Sequence, residues 1–105
     1  MSKEKREYPR QGIRLAVSYD TLDDFLIDYT SNVSLGGIFL ETDQRLPTDH
    51  PLQLQIRLPD GESILAEGTI QWTSSDGVGV HFTVLSVRNQ RKIRRLLETW
   101  QHKEE

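Results

Sequence analysis

The sequence predicts a mainly β fold: a small six-stranded antiparallel barrel, closed or nearly closed, followed by one C-terminal α-helix. Three observations carry this expectation. Apolar residues alternate with period two through most of the chain. Turn residues separate the alternating runs. The period then lengthens to that of a helix near the end. At 105 residues and 35% hydrophobic content, the chain fits one domain and not two.

Residues 1–12 are basic and show no apolar period, so they are expected to form a flexible segment ahead of the barrel. The barrel is expected over 13–85. Ile13, Leu15, Val17 and Tyr19 share one face of a first strand, with Arg14, Ala16 and Ser18 on the other. Phe25–Asn32 reads as a second strand with Phe25, Ile27 and Tyr29 on one face. Ile38–Glu41 follows a double glycine and reads as a third. Leu52, Leu54, Ile56 and Leu58 alternate with Gln53, Gln55 and Arg57, and Pro59-Asp60-Gly61 supplies a turn. Ile64, Ala66, Gly68, Ile70 and Trp72 alternate with polar positions, which assigns Trp72 to the core. Gly68 marks a bend or bulge. Asp76-Gly77 turns the chain into Val78, Val80, Phe82 and Val84. A helix over 86–102 starts at Ser86 as N-cap and carries Ile93, Leu96, Leu97 and Trp100 on one stripe.

Composition removes several classes of function. The longest aliphatic or aromatic runs are three residues, Phe25–Ile27 and Ile38–Leu40, far short of the roughly 20 that a span needs. No apolar segment follows the charges of Met1–Glu7, so no secretory signal is expected. The absence of cysteine excludes disulfides, thiolate metal sites and thiol nucleophiles, and suits a cytoplasmic location. Charge is uneven. Four of the 13 basic residues fall in Lys3–Arg10 and five in Arg88–Arg95. Between Leu15 and Val87 only Arg45 and Arg57 are basic, against eleven acids. An acidic body with two basic segments points to anionic partners.

Two segments carry candidate chemistry. Arg6 and Arg10 flank Glu7-Tyr8-Pro9, and Pro9 disfavours a helical Tyr8. In extended chain both guanidiniums point the same way and fit phosphate oxygens or the O6/N7 edge of guanine; a solvated basic tail is the plain alternative. Asn32-Val33-Ser34-Leu35-Gly36-Gly37 forms a tight turn whose main-chain N–H groups can face outward, where glycine admits a ligand to the backbone. An ordinary hairpin turn has the same composition.

Together the segments read R-x-x-x-R, 21 intervening residues, then N-x-S-x-x-G ahead of Ile38-Phe39-Leu40. This pattern resembles the PilZ domain family. Tyr8-Pro9-Arg10, Leu58-Pro59-Asp60-Gly61, Ile70-Gln71-Trp72 and Gly77-Val78-Gly79-Val80-His81-Phe82 extend the resemblance over roughly Lys5 to Trp100. It implies a split-barrel receptor for cyclic di-GMP, a dinucleotide with two guanines and two phosphodiesters. Carried over by position, Lys5, Arg6 and Arg10 would grip phosphates and guanine edges, and Asn32, Ser34, Gly36 and Gly37 would hold a guanine from the barrel. Ligand would order the N-terminal segment, and an unidentified protein effector would read the new surface. Two residues depart from the family pattern. Asn32 offers one acceptor oxygen where the commoner Asp offers two. Lys5 lacks the planar guanidinium that stacks on guanine, which leaves ligand stoichiometry open. The family also implies that an aromatic near Trp72 can lie beside the ligand.

Other readings remain beside this one. A PilZ-like adaptor would act by protein contacts alone, and a nucleic-acid-binding barrel would use the helix face of Arg88, Arg91, Lys92, Arg94 and Arg95. That face reads better as solvated, so nucleic acid is disfavoured. His50, His81 and His102 lack metal spacing, and His81 falls on the outward side of its strand. The acids Asp20, Asp23, Asp24 and Asp28 lack calcium-loop spacing. No nucleophile has a partnered base, so neither an enzyme nor a cofactor or metal is expected. Monomer and homodimer are both compatible with the apolar helix stripe.

Overall fold

The computed structural model describes residues 14–21 and 24–103, the last four as backbone alone. The strands are β1 (Leu15–Asp20), β2 (Phe25–Val33), β3 (Gly37–Glu41), β4 (Pro51–Arg57), β5 (Ser63–Ser74) and β6 (Gly77–Val84), and helix α1 spans Val87–Lys103. They close a barrel in the order β1-β2-β3-β6-β5-β4, with every neighbouring pair antiparallel. The fold is therefore the expected one. Closure occurs between β1 and β4, where Val17 faces Ile56 and Tyr19 faces Leu54.

Alternation places one side of each strand in the interior. Leu52, Leu54 and Ile56 are buried in β4 while Pro51, Gln53 and Arg57 are exposed. Val17, Leu40, Ile56, Ile64, Ile70 and Ile93 lose all contact with solvent and form the centre of the core. Helix α1 begins at Ser86, whose Oγ accepts the Asn89 main-chain N–H at 3.1 Å. Ile93 and Leu96 then join the barrel core, with Leu97 packed at its margin. Lys92 departs from the solvated reading of the basic face. Its Nζ donates to the Ser63 carbonyl at 2.8 Å and pairs with Glu62 at 3.4 Å, which ties the helix to the β4–β5 turn. Arg88, Arg91, Arg94 and Arg95 are exposed.

Three irregularities break the simple alternation. In β2, Tyr29 faces Glu41 but Asn32 faces Phe39, so β2 carries one extra residue. Thr30 fills the break: its hydroxyl donates to the Phe39 carbonyl at 2.6 Å and accepts the Asn32 N–H at 3.2 Å. Before this bulge the inner positions are Leu26, Asp28 and Thr30, and Phe25, Ile27 and Tyr29 face outward and are exposed; after it, Val33 is buried and Asn32 is exposed. In β5 a second bulge lies between Ile70, paired with Val80, and Trp72, paired with Gly79. It overturns the assignment of Trp72 to the core. The extra residue reverses the parity that Ile64, Ala66 and Ile70 follow, and Trp72 is 49% exposed. The third lies opposite Gly68: Glu67 pairs with Val84 and Gly68 with Phe82, so the extra residue belongs to β6 while Gly68 keeps the alternation of β5. A Cβ on Gly68 would meet the His81 carbonyl oxygen at 2.6 Å.

One polar group sits deep in the barrel. The Tyr19 hydroxyl donates to Asp28 Oδ2 at 2.8 Å and lies 3.3 Å from Thr42 Oγ1, which itself accepts the Gln44 N–H. Burial pushes the phenol up to about 12, with the neighbouring Asp28 carboxylate adding to the rise and the Thr42 contact opposing it. An unfolded tyrosine ionises near 10, so the folded state holds the proton more tightly. This contribution is fully present below about pH 10 and is lost as pH climbs toward 12. Between about pH 9 and pH 11.5, the wild type should lose about 2 kcal/mol more than Tyr19→Phe. Urea unfolding of both proteins at the two pH values measures the difference; equal losses would exclude Tyr19 as the source.

Candidate functional site

The Asn32–Gly37 turn joins β2 to β3 and is closed by Ser34. The Ser34 N–H donates to the Gly37 carbonyl at 2.9 Å, and Ser34 Oγ accepts the N–H groups of Gly36 and Gly37 at 3.2 Å each. The Gly36 carbonyl accepts the Phe82 N–H at 2.8 Å, which anchors the turn to β6. This corrects the expectation of outward main-chain donors: both glycine N–H groups turn inward onto the serine. Ser34 thus positions the corner.

Gly37 serves a close approach. It pairs with His81 across β3 and β6, and a Cβ on it would lie 1.9 Å from the Val80 carbonyl oxygen. Gly36 is exposed and has open space around it, with Ser34 Oγ the nearest atom at 3.9 Å. One glycine builds the sheet, and the other keeps the rim of the corner low.

An open cavity of about 300 Å³ lies against this corner. Asn32, Ser34, Gly36 and Gly37 form one side; Phe39, Gln71, Trp72, Gly79 and His81 form the other. Trp72 and Phe39 stack with ring centroids 5.4 Å apart and planes at 25°. Gly79 makes that placement possible, because a Cβ there would lie 2.3 Å from the Trp72 ring. The two bulges thus work together: one brings Asn32 to the outer surface and the other brings Trp72 beside it. The cavity offers an amide, a flat indole face and an imidazole to a planar polar ligand.

Of the residues singled out from the sequence, Asn32, Ser34, Gly36 and Gly37 line this cavity. Lys5, Arg6 and Arg10 lie outside the described residues. Leu15 pairs with Thr30 in an antiparallel register, which sets Arg14 at the Asn32 end of β2. Arg14 holds this entry point: its guanidinium stacks 4.6 Å over the Tyr29 ring and pairs with Glu41 at 3.0 Å. Glu41 also accepts from Ser31 at 3.1 Å.

Phe39 and Gln71 line the cavity with no signal for it in the sequence, whereas Trp72 lines it against the parity that assigns it to the core. The clue for Trp72 is Gly79, a small residue inside an otherwise bulky strand, but it becomes legible only once the β5–β6 register is known. His81 was read as outward-facing, and it is exposed. Among the described residues, no group of three or more His, Asp or Glu side chains could hold a metal ion, and no helix is long and apolar enough to cross a membrane.

Comparison with known proteins agrees with this architecture. The family profile described as PilZ domain matches residues 4–99. The Bacillus subtilis inhibitor of motility (MotI/DgrA) superposes with a TM-score of 0.75 at 20% identity, over 96% of this chain and 55% of that one. This chain therefore spans about half the length of that neighbour. The PilZ domain of CeSA from a cellulose-synthesizing bacterium superposes with a TM-score of 0.67 at 17% identity, over 86% of this chain and 95% of that one. Among curated proteins, none matches the chain.

Proposed function

The chain belongs to the PilZ domain family, and from that premise we propose that it is a receptor for cyclic di-GMP that relays the messenger to a protein partner. PilZ domains are regulatory binding domains of a cyclic di-GMP receptor family. The observation that carries the reading for this chain is the convergence of Asn32, the Ser34-braced corner and Trp72 on one open cavity, at the end of β2 where Arg14 enters the barrel.

In this reading Trp72 offers its face to a guanine, and Asn32 meets the base edge with one acceptor oxygen and its amide donors. Ser34 keeps the corner in shape, and Gly36 lets the ligand lie close. Lys5, Arg6 and Arg10, on the segment over residues 1–12, close from the other side onto phosphates and the second base. Ordering that segment costs chain entropy, so affinity depends on the contacts that exceed the cost. The ordered segment and the ligand then form the surface that a cytoplasmic effector reads.

Calorimetric titration with cyclic di-GMP tests this directly. Saturable binding is expected, with amide NMR shifts in both the Asn32–Gly37 turn and residues 1–12. Ser34→Ala, which frees two turn N–H groups, should weaken binding about tenfold. No heat and no shifts at high-micromolar ligand, with a folded spectrum, would remove the receptor reading. It would favour the second one, an adaptor acting through protein contacts alone, to which the exposed row of Phe25, Ile27 and Tyr29 on β2 lends support.

A further inference from the structure

We propose that His81 is the cation of the cavity wall, and that its protonation makes binding of the dianionic dinucleotide strengthen as pH falls. The inference rests on the receptor reading and adds to it a residue and a mode of control.

The carrying observation is the electrostatic character of the lining. Among the described residues around the cavity, every side chain but one is neutral at all ordinary pH values, and the exception is His81. It sits on the outward face of β6, exposed, between the buried Val80 and Phe82. The carboxylates on the two flanking strands are Glu41 and Glu67. On β3 His81 faces Gly37, with Phe39 next on the outer face; the acid of that strand, Glu41, lies opposite Gly77 and is held by Arg14. On β5 it faces Thr69, with Gln71 beyond; the acid of that strand, Glu67, lies opposite Val84. On its own strand the flanking outward residues are Gly79 and Thr83. The turn contributes Ser34 and Gly36, both uncharged.

Glycine at position 37 matters here as well. No side chain stands across from His81 on the neighbouring strand. An imidazolium donates from both ring nitrogens and matches a phosphodiester oxygen, whereas a neutral imidazole has one donor. Histidine is the side chain that changes charge between about pH 5 and 8, while arginine and lysine keep theirs. The sign follows from linkage. If the ligand prefers the protonated ring, affinity rises as pH falls, and saturating ligand moves the His81 titration to higher pH.

The test is calorimetry with cyclic di-GMP at about pH 5.5 and about pH 8, on wild type, His81→Gln and His81→Lys. Wild type should bind about three- to tenfold tighter at the lower pH, as expected for an exposed charge-assisted contact. His81→Gln should bind equally at both values, near the weaker wild-type affinity. His81→Lys should bind equally at both, near the stronger one. NMR titration of the wild-type imidazole should show its midpoint rising on ligand saturation. A pH slope that persists in His81→Gln, or wild-type affinity that does not change with pH, overturns the inference and leaves the receptor reading standing. Absence of binding by wild type at both pH values removes both.

Discussion

Gly37→Ala is expected to cost the barrel about 3 kcal/mol or more, a large share of the roughly 5–15 kcal/mol that holds a small domain folded. The added methyl would lie 1.9 Å from the Val80 carbonyl oxygen and 3.2 Å from the His81 Cα. Both are backbone atoms of the paired strand, so no side-chain rotation relieves the overlap. The β3–β6 ladder itself must separate. Gly36→Ala, one residue away, meets nothing closer than 3.9 Å and should stay within about 0.5 kcal/mol of wild type. Denaturant unfolding of the two variants measures the contrast. A Gly37→Ala protein that unfolds at the wild-type midpoint would mean that the strands stand farther apart than described. The consequence for ligand studies is practical: loss of binding in Gly37→Ala reports on the fold, whereas Gly36→Ala and Ser34→Ala interrogate the corner itself.

Trp72→Ala should weaken cyclic di-GMP binding on the order of 10- to 100-fold, the range for removing one base-stacking aromatic. The fold should survive, because the ring lies on the outside of the barrel against Phe39 and over Gly79. Trp72→Phe keeps a flat face and should recover part of the affinity. Calorimetry supplies the affinities, and near-ultraviolet circular dichroism of the unliganded variants checks packing. Unchanged affinity in a folded Trp72→Ala would place the ligand away from this wall.

The strands were legible because period-two alternation is a local property. Leu52, Leu54 and Ile56 reveal their face without reference to any partner, as do Ile93 and Leu96 for the helix. The bulges were not. An extra residue exists only relative to the opposite strand, so nothing in Ile70-Gln71-Trp72 alone announces that Trp72 turns outward. The same holds for Asn32, which reaches the surface because Thr30 fills the break before it. The exposed face of Phe25, Ile27 and Tyr29 shows a different limit. Alternation identifies the two sides of a strand, and the interior here took the side bearing Leu26, Asp28 and Thr30, where Leu26 packs on the core and the two polar groups bond to Tyr19 and the Phe39 carbonyl. For the corner, composition pointed to the right residues but not to their internal bonding: Ser34 consumes the N–H groups that glycine leaves accessible.

Pairing of β1 with β4 has a consequence for signalling. Each described strand pairs on both sides over part of its length, and only short stretches, residues 25–28 of β2 and 72–74 of β5, run past a neighbour's end. A peptide added as an extra strand finds only these short stretches among the described residues. Side chains on the outer wall, the connecting turns and whatever the messenger assembles on top of them offer the larger surface. Such a readout depends on residue identity at the surface, so single exposed substitutions there should retune partner choice without disturbing the sheet beneath.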